Sequence, residues 1–121
     1  MSRKVLIVED ENLIGMLLSI QFETLGYTVV VASDGEEGLA AVKKEMPDLV
    51  MLDLGLPKID GGTLCGLIKS DAALKHMKVV LLTGKSLESE TQNALNAGAD
   101  LYVNKPYEWE HLRAQVQALL P

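Results

Sequence analysis

Short apolar runs alternate with stretches of helical spacing along the whole chain. The first run, Val5 to Val8, is followed by Leu13, Met16, Leu17 and Ile20 at the three- and four-residue intervals of a helix, with Leu25 and Gly26 as its stop. A second run, Tyr27 to Ala32, leads through Asp34-Gly35 into a helix around Glu36 to Glu45 that buries Leu39 and Val42, and Pro47 punctuates it. The third run is Leu49 to Leu54, and the loop Gly55 to Gly61 precedes a helix from about Gly62 to Ser70. Val79 to Thr83 make a fourth run, with a helix near Leu87 to Ala97 behind it. Leu101 to Lys105 make the fifth, and Pro106 separates it from a helix through Trp109, Leu112, Val116 and Leu119.

Strands that are apolar throughout and joined by helices imply parallel pairing with both faces covered, because a strand with one wet face alternates polar with apolar residues. The expected fold is α/β, an open, doubly wound, five-stranded parallel sheet built as (βα)5, since five units cannot close an eight-stranded barrel. At 121 residues, one core and one domain over 1–121 are expected. A composition 48% hydrophobic and 23% charged excludes a disordered chain. A net charge of −6 opposes direct binding to nucleic acid or anionic lipid. Cys65 has no second cysteine to pair with and no apolar run reaches membrane-spanning length, so a cytoplasmic protein is expected.

In such a sheet the C-terminal ends of the strands open on one edge, and ligands bind there. Strand one ends in Glu9-Asp10, strand three carries Asp53, strand four ends in Thr83 and strand five in Lys105. Three carboxylates brought together repel one another unless a cation sits among them, and a hard divalent ion, Mg2+ by preference, suits oxygen ligands. Asp53 interrupts an otherwise apolar run and is the natural nucleophile. A phosphoryl group there would be bridged to Mg2+, with Lys105 neutralising one oxygen and the Thr83 hydroxyl donating to another. His76, in a lysine-flanked connection, and His111, in a helix, lie off that edge. Cys65 reads as a small core residue, Trp109 is placed for core packing or partner contact, and Gly61-Gly62 is a turn and helix entry rather than a phosphate loop.

Glu9-Asp10, Asp53, Thr83 and Lys105-Pro106 at successive strand ends, the stretch Asp53 to Gly61, and Tyr102 three residues before Lys105 together resemble the signature of two-component response-regulator receiver domains. The resemblance covers essentially the whole chain. It implies the flavodoxin-like strand order 2-1-3-4-5 and a phosphoacceptor switch that assists its own phosphorylation and dephosphorylation, rather than an enzyme. Asp53 would take phosphate from a histidine kinase or histidine phosphotransfer protein in a phosphorelay. Mg2+ would be bound by Asp10, Asp53 and the Gly55 backbone carbonyl, with Glu9 acting mainly through a water. A cis Lys105-Pro106 bond would aim Lys105 into the site. Thr83 and Tyr102 would form the switch, altering the surface of the fourth helix, fifth strand and last helix towards an output protein, an attached effector domain or a phosphorylation-linked second copy.

Gly84 is small, as access to the phosphoryl group requires in the family, and Gly55 and Lys85 stand where side chains tune its lifetime. A degenerate receiver serving as a constitutive interaction module would have lost a pocket carboxylate, the acceptor or the lysine. A hydrolase passing through an aspartyl phosphate would carry a second acid two residues after the nucleophile, where Gly55 stands. A flavin-binding protein would want hydroxyls in the loop where Glu9-Asp10-Glu11 would repel phosphate.

Overall fold

The computed structural model of the chain describes residues 3–84 and 98–120. Strands β1 (Lys4–Val8), β2 (Thr28–Ala32), β3 (Leu49–Asp53), β4 (Lys78–Thr83) and β5 (Leu101–Asn104) are interleaved with helices α1 (Asn12–Thr24), α2 (Gly35–Glu45), α3 (Gly61–Ser70) and α4 (Trp109–Leu119). All strands are parallel, in the order β2-β1-β3-β4-β5. The helix expected at Leu87 to Ala97, and Lys85, lie outside the described residues.

Side-chain alternation sorts each strand between two cores. Leu6, Val8, Val50, Leu52, Val79 and Leu81 meet Val42 of α2 and Leu64, Cys65 and Ile68 of α3 on one face. Val5, Ile7, Leu49, Met51, Val80 and Leu82 meet Leu18 and Phe22 of α1 and Leu112 and Val116 of α4 on the other. Apolar demand on both faces is why the inner strands read as unbroken apolar runs. β2, at the sheet edge, is the exception, and Val31 is 46% exposed.

The spacing that marks α1 in the sequence does not mark its inner side. Leu13, Met16, Leu17 and Ile20 are each more than half exposed, while Gly15, Leu18 and Phe22 are buried. At 3.6 residues per turn the two sets lie on opposite sides of the helix, so α1 is apolar on both and the pattern locates the helix without orienting it.

Two side-chain caps frame the loop between β3 and α3. The Asp34 carboxylate accepts from the Glu37 N–H at 2.8 Å and the Asp60 carboxylate from the Thr63 N–H at 2.9 Å; each satisfies an orphan helix donor and contributes about 1 kcal/mol. The first sits ahead of α2, the second at the head of α3.

Candidate functional site

Alternation also decides how charges leave the sheet at its C-terminal edge. Glu9 is in phase with Val5 and Ile7, Asp53 with Leu49 and Met51, and Lys105 with Leu101 and Val103, all on the side covered by α1 and α4. Thr83 is in phase with Val79 and Leu81, and Tyr102 is half-buried against the same α2–α3 side.

The three charges meet. Lys105 Nζ lies 3.1 Å from Asp53 Oδ2 and 3.6 Å from Glu9 Oε2. One carboxylate oxygen from each of Glu9, Asp10 and Asp53 lies within 4.8 Å of the others. The Gly55 N–H donates to Asp53 Oδ1 at 3.2 Å, and the Glu11 N–H to Glu9 Oε1 at 3.2 Å. Asp10 is exposed at the rim. The Lys105 N–H donates to the Thr83 carbonyl at 2.7 Å, continuing the ladder past β5, and the Lys105-Pro106 peptide is cis. Thr83 is buried at the end of β4. A cleft of about 410 Å³ opens between Glu11, Ile14, Asp53, Gly55, Thr83 and Lys105.

Electrostatics follow from burial. The Glu9 side chain is 1% exposed, and its Oε2 has no hydrogen-bond partner among the described residues. Burial raises its carboxyl above the ordinary value; the Glu11 N–H opposes this and the nearby Asp53 adds to it. Burial pulls the Lys105 ammonium down, yet pairing with Asp53 and then Glu9 outweighs it and holds the group above its ordinary value. Three carboxylates against one ammonium leave an excess of two negative charges when all are ionised. That excess and the all-oxygen donor set, with Glu9 Oε2 buried and not hydrogen-bonded among the described residues, fit a divalent cation of the Mg2+ kind.

The other candidates lie elsewhere. His76 is exposed in the turn before β4, at the opposite edge of the sheet, and His111 is exposed on α4. Trp109 packs edge-on against Phe22 with ring centroids 5.2 Å apart, so it belongs to the α1–α4 core. Cys65 is fully buried on α3, and burial pushes its thiol up to about 11. Sequence reasoning missed Lys58, whose ammonium lies 3.4 Å from Asp34 Oδ2 and 3.6 Å from Glu36 Oε2. These partners are distant in sequence and meet only through the packing of two loops, so no local pattern announces them.

Residues 5–117 match the family described as response regulator receiver domain. The alkaline phosphatase synthesis transcriptional regulatory protein PhoP of Bacillus subtilis (strain 168) is 39% identical over 120 residues, 99% of this chain and 49% of that protein. The chain thus spans about half the length of the curated relatives it matches. Among solved structures, the receiver domain of a signal transduction histidine kinase from Syntrophus aciditrophicus superposes with a TM-score of 0.93 at 31% identity, covering 98% of this chain and 90% of that one. The BeF3-activated DrrB receiver domain gives 0.87 at 32%, covering 99% and 98%.

Proposed function

The chain belongs to the response regulator receiver domain family, and on that premise we propose that it is a single receiver unit over 1–121 that accepts a phosphoryl group on Asp53 in a Mg2+-dependent reaction. The donor is a histidine kinase or a histidine phosphotransfer protein. The observation that carries the reading is the cluster itself: Asp53 is gathered with two further carboxylates within 4.8 Å and paired with Lys105 at 3.1 Å.

Each group has a distinct task. Asp53 attacks phosphorus as the bond to the donor's nitrogen breaks. Asp10, Asp53 and the Gly55 carbonyl would hold Mg2+, and Glu9 would act mainly through a water. Such an ion would supply charge neutralisation for phosphoryl transfer to Asp53. Lys105 exchanges part of its contact with Asp53 for a phosphoryl oxygen, and the Thr83 hydroxyl donates to another. Gly84 leaves room for the group. Gly55 and Lys85 set its lifetime, Lys85 lying outside the described residues.

The signal leaves through Thr83 and Tyr102, which share one face of the sheet. Movement of Thr83 towards the phosphoryl group vacates space behind β4, and the Tyr102 ring turns further inward to fill it. This is a shift of population between two arrangements. The altered surface, made by the expected fourth helix, β5 and α4, carries more acid than base, so an output protein or attached effector domain with a basic or mixed face fits it better than DNA does. A phosphorylation-linked homodimer is the other use of the same surface. The setting is the cytoplasm, and among the described residues no helix is long and apolar enough to cross a membrane.

A constitutive interaction module is disfavoured because acceptor, acids and lysine are all present and gathered at one site. The test is incubation with acetyl phosphate and Mg2+. The wild type is expected to gain acid-labile phosphate and Asp53→Asn to gain none while remaining folded; equal labelling of the variant would remove Asp53 as acceptor.

A further inference from the structure

The loop from β3 to α3 carries Gly55, and it is gripped at two places where backbone meets backbone. A Cβ on Gly61 would overlap the Asp53 carbonyl, and a Cβ on Gly35 would overlap the Ile59 carbonyl. The Gly35 N–H also donates to the Pro57 carbonyl at 3.2 Å. Between Pro57 and Ile59 stands Lys58, at a left-handed φ of 70°. That conformation is unfavourable for any residue with a Cβ unless its surroundings compensate. Its ammonium reaches across to the α2 entry, lying 3.4 Å from Asp34 Oδ2 and 3.6 Å from Glu36 Oε2. Residues 57, 58 and 59 are therefore all tied to residues 34 to 36, the turn that enters α2.

We propose that Lys58 is a positioning residue: by tying the loop to Asp34 and Glu36 it sets the affinity of the acidic pocket for Mg2+, although it is not among the ligands. The inference rests on the metal reading above and names what tunes that site. Its sign separates it from simple electrostatics. A lysine acting only as a nearby cation would repel Mg2+, so removing its charge would tighten binding. A lysine acting as a clamp does the reverse, because a loosened loop must be ordered again when its carbonyl engages the ion.

The experiment is a Mg2+ titration of the full chain, following the amide shifts of Asp53 to Gly55 in the wild type, Lys58→Met and Lys58→Arg. Met keeps the long stem and the same backbone strain, so the fold is retained. The dissociation constant is expected to rise about two- to five-fold in Lys58→Met, the fold-change of one partly screened ion pair, and to return to the wild-type value in Lys58→Arg, whose guanidinium reaches the same carboxylates. Equal or tighter binding by Lys58→Met, or no recovery in Lys58→Arg, overturns the clamp. A wild type that does not titrate overturns the metal reading instead.

Discussion

Replacing Lys105 by Met leaves the Glu9 and Asp53 carboxylates facing each other without their shared cation. At 3.1 and 3.6 Å and an effective dielectric of about 20, each contact represents about 5 kcal/mol of attraction before solvation is counted. Most of this is offset by hydration that the ions lose on folding. Removing one partner of a fully buried pair costs about 3–5 kcal/mol. Here the Asp53 and Lys105 side chains are 15% and 22% exposed and water reaches them, so about 2 kcal/mol is expected without Mg2+, lowering the melting temperature by about 8 °C. The deficit depends on pH with a definite sign. Glu9, raised mainly by burial, keeps its proton in the folded state at pH values where the unfolded chain has lost it. Its cost is therefore absent below the ordinary value of 4.5 and grows as pH rises through the folded value. Without Lys105, whose charge lowers it, that folded value rises further, so the variant's deficit is complete only above the raised value and shrinks towards pH 4.5. On the alkaline side, the raised Lys105 value gives the wild type stability that is complete below 10.5 and lost above the folded value. Mg2+ is expected to replace the missing cation and so to stabilise the variant more than the wild type. Thermal unfolding by circular dichroism, in EDTA and in Mg2+ across the acid range, measures all of this. A variant as stable as the wild type in EDTA at neutral pH, or a deficit that does not shrink with acid, would refute the reasoning.

Saturating Mg2+ is expected to stabilise the wild type by about 2.7 kcal/mol at one hundred times the dissociation constant and Asp10→Asn hardly at all; a wild-type melting temperature indifferent to Mg2+ would contradict the metal site. Beryllium fluoride with Mg2+ is expected to shift the Tyr102 ring resonances together with the amides around Asp53. Movement at Asp53 alone would break the proposed coupling while leaving the acceptor in place. Phe22→Ala, in the core, is expected to cost about 3–5 kcal/mol, and Leu17→Ser, on the outer face of α1, to stay within about 0.5 kcal/mol. Urea midpoints in the opposite order would mean that α1 has been oriented wrongly.

The strands are legible in the sequence because burial on both faces leaves no reason for a polar interruption, and their bounds agree with the expected runs to within one or two residues. The meeting of Glu9, Asp53 and Lys105 is legible for a related reason, since parallel strand ends must share an edge. Local pattern does not reveal how unequal the neighbours Glu9 and Asp10 are: only alternation counted from Ile7 puts Glu9 inward and Asp10 at the rim. Nor does it orient α1, whose two apolar sides compete for the sheet until the small Gly15 and the large Phe22 settle it. Lys58 is least legible of all, because its conformation and its partners both depend on how two loops pack.

Cys65 gives the chain a gauge of its own opening. It is the sole cysteine in the sequence, sealed between α3 and the sheet, with a thiol that burial keeps almost wholly protonated at neutral pH. A thiol reagent therefore finds neither access nor thiolate in the closed protein and reacts only with molecules in which α3 has swung away or the chain has unfolded. The labelling rate counts those excursions directly. Because α3 begins at Gly61, pressed against the backbone of Asp53, whatever steadies the acidic pocket is expected to slow that clock as well, so that occupancy at one end of the sheet would be timed by a sulfur atom that never touches it.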